Sequence, residues 1–102
     1  MQPQELAQRI NSANPPTVVD VRSNREFNSG HIPGALHLPS WKILLRLGNI
    51  PTDRNSELVV TCEHGPRAQL AMGLLRTIGY KNVVLLDGHM SRWRQAGLPL
   101  QK

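Results

Sequence analysis

The chain has 102 residues, 39% of them hydrophobic and only 4% aromatic, with 12 Lys and Arg against 7 Asp and Glu for a formal charge of +5. That length predicts one domain, residues 1–102, built on an aliphatic core, with no room for a second. One cysteine excludes an intramolecular disulfide, and four histidines without ligand-like spacing give no metal cluster.

In chain order, Pro3–Asn11 reads as a short helix with Leu6, Ala7 and Ile10 on one face, stopped by Pro15 and Pro16. Thr17–Val21 is a buried strand, and Asn24–Ser29 is a brief helical turn closed by Gly30. Ala35–Leu38 is a second strand, entered through Ile32-Pro33-Gly34. Ser40 is placed to cap a helix reaching Leu47, with Gly48 ending it. Leu58–Thr61 is a third strand. Arg67–Ile78 gives the clearest helix, with Leu70, Ala71, Leu74, Leu75 and Ile78 on one face and Gly79 after it. Asn82–Leu86 is a fourth strand, and Ser91–Ala96 a last helix ended by Gly97 and Pro99. Strands and helices alternate, and the strands are short and rich in Val and Leu. This predicts an α/β three-layer domain around a parallel sheet buried on both faces.

The lone cysteine, Cys62, follows the β-branched run Val59-Val60-Thr61 and precedes Glu63-His64-Gly65-Pro66-Arg67-Ala68. A strand thus delivers the sulfur to a tight loop, and a helix starts at once. Loop N–H groups and the positive end of the helix both favour an anionic sulfur there. The competing reading is a buried cysteine acting as a small hydrophobe. The glycine, the arginine and the helix start raise the reactive reading above it.

From Cys62 onward, Arg67, Arg76, Lys81, Arg92, Arg94 and Lys102 face only Glu63 and Asp87, so this half should attract anions. Basic residues are not interleaved with aromatics, which speaks against nucleic acid as a partner. The polar start Met1–Glu5 lacks the apolar core of a signal region, and no apolar run is long enough to cross a bilayer. A cytoplasmic chain with no membrane contact and no cofactor is expected.

Three stretches together resemble the rhodanese family of sulfurtransferases. The first comprises Val19-Asp20-Val21-Arg22, Glu26-Phe27, Gly30-His31-Ile32-Pro33-Gly34-Ala35 and His37-Leu38-Pro39. The second is Cys62-Glu63-His64-Gly65-Pro66-Arg67, a C-x-x-G-x-R loop. The third comprises Leu86-Asp87-Gly88, Trp93 and Ala96-Gly97-Leu98-Pro99. The chain departs from the family at His89, where a second glycine is usual after Gly88, a change expected to touch no chemistry directly. The resemblance implies a rhodanese-like fold with four to five short strands, any extra strand before the first helix being minimal or missing. It implies that the third strand lies beside the first, with the fourth beyond it and the second at the opposite edge. The order then reverses between the first and third strands, and ligands of open α/β sheets bind at such a reversal.

The resemblance further implies that Cys62 is the catalytic nucleophile, attacking the outer sulfur of a donor and holding it as a persulfide. Amides from Glu63 to Ala68, less the one Pro66 lacks, would cradle that anionic sulfur. Gly65 is expected to take a backbone conformation closed to other residues. Arg67 would bind an anion or pair with an acid such as Glu63, and His64 would orient the substrate. Asp20 and Arg22 are expected to brace the crevice, His31 a loop, and Trp93 the core. Trp41 either lines the mouth or covers the sheet. Glu63 places a negative charge beside the nucleophile and would repel thiosulfate unless Arg67 neutralises it, so thiosulfate is not expected to be the best physiological donor.

The leading reading is therefore sulfur transfer from thiosulfate, a persulfide or a polysulfide to a thiol, cyanide or a protein acceptor. A non-catalytic rhodanese-like interaction module is the alternative, disfavoured by the retained cysteine and complete loop. A phosphatase or arsenate reductase is disfavoured further. The related cell-cycle phosphatases use C-x-x-x-x-x-R, whereas here four residues separate Cys62 from Arg67, and there is no second cysteine to resolve an intermediate.

Overall fold

The computed structural model describes residues 1–102. The elements are α1 (Pro3–Arg9), β1 (Thr17–Asp20), α2 (Asn24–Ser29), β2 (Leu36–His37), α3 (Ser40–Leu44), β3 (Leu58–Thr61), α4 (Pro66–Thr77), β4 (Val83–Leu85) and α5 (His89–Gln95). Four strands form one sheet in the order β2-β1-β3-β4, every pair parallel. The expected order, with its reversal between the first and third strands, is the one observed. The sheet has no strand before α1.

Alternation along the central strands builds two cores, because successive side chains point to opposite faces. Val18 and Val59 are in register, and both pack with Leu6, Ile32, Leu86, Met90 and Trp93 on one face. Val19 and Val60, also in register, pack with Ala68, Ala71, Leu75 and Tyr80 on the other. Both faces are thus covered, as a parallel sheet requires. Each fully buried aliphatic side chain, such as Leu58 or Leu75, contributes about 1.5–3 kcal/mol over its exposed state.

Three sequence expectations need correcting. In α4 the buried positions are Ala68, Ala71 and Leu75, spaced by three and four, while Leu70 is 60% exposed. Leu70 lies one residue off that stripe, about 100° round the helix, so it turns away from the sheet. In α3, Pro39 rather than Ser40 occupies the cap position, and the helix ends at Leu44 instead of reaching Leu47. Arg46 adopts φ +56°, which no continuing helix allows, and Leu44, Leu45 and Leu47 find nothing to bury against. The last helix begins at His89, two residues before Ser91, with Gly88 as its left-handed cap.

Candidate active site

β3 ends at Thr61 and α4 begins at Pro66, so four residues make the whole connection. Pro66 suits the first helical turn, where a missing N–H costs nothing. Gly65 caps the helix at φ +134° and ψ −47°, and a Cβ there would lie 3.3 Å from Nε2 of His89. The backbone conformation therefore calls for glycine, and a side chain there would also press on the His89 ring.

The Cys62 thiol is 1% exposed, and the backbone N–H of Gly65 donates to its Sγ at 2.9 Å. The loop is stitched to the start of α5 from the other side. Met90 N–H donates to the Cys62 carbonyl at 3.0 Å, and Ser91 N–H to the Glu63 carbonyl at 3.2 Å. The hydroxyl of Thr61 donates to the Cys62 carbonyl as well.

Asp20, the last residue of β1, and Arg22, two residues further on, are buried at 0% and 2% exposure. Arg22 donates from Nε and Nη2 to the Asp20 carboxylate, from Nη2 to the Gly30 carbonyl at 2.7 Å, and from Nη1 to Glu63 at 3.3 Å. One guanidinium thus joins β1, the end of α2 and the cysteine loop.

The partner assignments differ from those expected. Arg67 pairs with both carboxylate oxygens of Glu26, at 2.6 and 2.9 Å, and not with Glu63. Glu63 is instead held between Arg22 and Arg94. The reason is direction: Arg67 lies in the first turn of α4 on the side of α2, whereas Glu63 faces β1 and α5. Glu26 also closes a capping box with Ser23 at the start of α2. The Arg67 guanidinium holds the Glu26 carboxyl down to about 2, against the cost of partial burial and with help from Ser23. The Arg67 guanidinium is raised in turn, chiefly by Glu26.

A cavity of about 690 Å³ is bounded by Arg22, His37, Trp41, Lys42, Arg67 and Leu70 among others; of the cysteine loop and helix start only Arg67 borders it, and Cys62 does not line it. Trp41, 56% exposed, forms part of this wall. His64 is exposed, and Ala68 is buried under the helix start. His31 Nδ1 sits 2.8 Å from the Phe27 carbonyl, and its ring stacks on that of Phe27.

His89, expected to touch no chemistry directly, lies against the backbone of the cysteine loop. Its Nδ1 accepts the backbone N–H of Cys62 at 3.3 Å. The residue sits at φ +53°, and its ring is buried behind Gly65. Sequence carried one signal for this, a side chain in a turn patterned for glycine. The contributions of Glu26, Arg94 and the Gly30 carbonyl carried none.

The chain matches the Rhodanese-like domain family over residues 2–96. It belongs to that family. A sulfurtransferase of Allochromatium vinosum is 36% identical over 97 residues, covering 95% of this chain and 89% of the relative. The thiosulfate sulfurtransferase GlpE of Shewanella oneidensis is 39% identical over 79 residues, covering 78% of this chain and 76% of the relative. Among solved structures, the rhodanese-like domain of the Alr3790 protein from Anabaena sp. superposes with a TM-score of 0.85 at 26% identity. That match covers 99% of this chain and 76% of the other. The rhodanese-like assignment and its mixed α/β fold thus agree with the sequence reading, and the relatives carry sulfurtransferase names.

Proposed function

We propose that the protein is a sulfurtransferase that carries a sulfane sulfur on Cys62. The single observation that supports this reading is the Cys62 Sγ at the end of a central parallel strand, receiving the Gly65 N–H at 2.9 Å. An N–H aimed at a sulfur stabilises negative charge on it, which both the attacking thiolate and the product persulfide carry.

In the first half-reaction the Cys62 thiolate attacks the outer sulfur of a donor. A sulfur–sulfur bond forms to Cys62, the donor's own bond to that sulfur breaks, and the leaving group departs with the electron pair, as sulfite does from thiosulfate. In the second, a thiolate, cyanide or a protein acceptor attacks the terminal sulfur and the Cys62 thiolate is released. No proton need cross the site, and no external oxidant enters. The kinetics are ping-pong. Lys42 at the cavity edge favours anionic donors, the charge of Arg67 being already met by Glu26, while Trp41 and Leu70 offer an apolar wall to the body of a larger thiol. Asp20 and Arg22 act as structural support. Glu63 is compensated by two arginines, so its charge opposes thiosulfate less than the sequence alone implies.

The test is intact mass after incubation with thiosulfate or a polysulfide. A gain of one sulfur, about 32 Da, removed by cyanide or dithiothreitol and absent in Cys62→Ser, is expected of a covalent carrier. Failure of every donor to add mass would leave the interaction-module reading in its place.

A further inference from the structure

The loop that holds Cys62 rests on an imidazole. His89 and Arg46 are the two non-glycine residues with positive φ, and Gly88 before His89 is also left-handed, at φ +70°. A histidine held in this region needs a compensating contact, and the structure supplies one. The ring is 6% exposed. Its Nδ1 lies 3.3 Å from the Cys62 amide nitrogen and 3.5 Å from the Thr61 hydroxyl. Its Nε2 lies where a Cβ on Gly65 would intrude. A peptide N–H can only donate, so Nδ1 presents a lone pair and the proton of the neutral ring is on Nε2.

We propose that His89 is a positioning residue for the nucleophile: its neutral imidazole pins the Cys62 amide and backs Gly65, holding the loop in the form that aims the Gly65 N–H at the sulfur. This rests on the reading of Cys62 as the sulfur carrier. A protonated ring has no lone pair to offer, so acid unpins the amide and slows sulfur loading. Cys62 lies against the ring, and Asp87 and His64 act on its charge; Arg92 packs over the neighbouring Gly88, and Glu63, held by Arg22 and Arg94, follows Cys62 in the loop. Burial favours the neutral ring, and His64 acts in the same direction while Asp87 opposes it.

Three proteins test the proposal: the unaltered chain, His89→Asn and His89→Gly. Asparagine tolerates the left-handed backbone and offers an oxygen acceptor that does not titrate. Glycine relieves the backbone and offers no acceptor. Loading by polysulfide is followed by intact mass between about pH 8 and pH 5, with the Cys62 amide followed by hydrogen exchange. In the unaltered protein both loading rate and amide protection are expected to fall about tenfold on the acid side, the loss of one hydrogen bond. His89→Asn should keep the neutral-pH rate and lose that inflection; any pH dependence shared by both proteins, including that of forming the attacking thiolate, does not come from His89. His89→Gly should be about tenfold slower and less protected at every pH.

A His89→Gly protein with unaltered protection and pH profile would overturn the proposal, as would His89→Asn behaving like His89→Gly. Nitrogen chemical shifts of the His89 ring in the unaltered protein give a readout independent of any variant's folding, and a proton on Nδ1 at neutral pH would also overturn it. If the unaltered protein loads no sulfur at all, the carrier reading fails, while amide protection and ring tautomer still decide the role of His89.

Discussion

Glu63 shows how one side chain can change meaning when its neighbours are known. Beside Cys62 in sequence it is a repulsive charge. In the fold it is clasped by Arg22, which is 2% exposed, and by Arg94 at the surface. Substituting Glu63→Gln removes one negative charge and frees Arg94 while leaving Arg22 its bonds to Asp20 and Gly30. The KM for thiosulfate is therefore expected to fall several-fold at low ionic strength, about the effect of one unscreened charge, and the difference to shrink in salt. Steady-state assays with thiosulfate and cyanide check this. A KM that stays the same or rises would show that Glu63 does not set donor preference.

At the scale of elements, the two helices flanking the cysteine loop are fastened at their first turns. α5 donates its first free amides to the loop carbonyls. α4 is tied to α2 through Arg67 and Glu26, the same Glu26 that completes the capping box of α2. Because the Glu26 carboxyl is lowered from 4.5 to about 2, the pair's stabilisation is complete above its unfolded value and drains away as pH falls toward 2. Urea unfolding at about pH 6 and about pH 3 should show Glu26→Gln less stable than the unaltered protein at the higher pH, with the gap narrowed at the lower. A gap of constant size would mean the carboxylate charge contributes nothing. The pairing of Glu57 with Arg9 also lowers a carboxyl, but it is common to both proteins and cancels in the comparison.

Across the whole molecule, Arg22 is the node where three separate segments meet. Asp20 is wholly buried against it, with no surface open to solvent. Removing one member of such a pair leaves an uncompensated charge inside the protein, at a cost of about 3–5 kcal/mol. Asp20→Ala is expected to lose stability on that scale in chemical unfolding, and to lose protection of the Cys62 loop amides with it. A loss below about 1 kcal/mol, the level of a surface pair, would show that Arg22 finds other partners and that the crevice does not depend on this bond.

The order of the strands was implied by the resemblance to a known family, and the sequence by itself determined the alternation of elements and the placement of Cys62 at a strand end. These follow from local signals: runs of Val and Leu, helix-stopping glycines, and a C-x-x-G-x-R loop that resembles a known family. Most element ends shifted by one to three residues, because capping and packing set them. Only the tertiary structure decided who pairs with whom. Arg67 turned to Glu26 across 41 positions, Glu63 to Arg94 across 31, and His89 to Cys62 across 27. Such pairings depend on where helices emerge from a sheet and which way each side chain leaves its helix, and a linear pattern records neither.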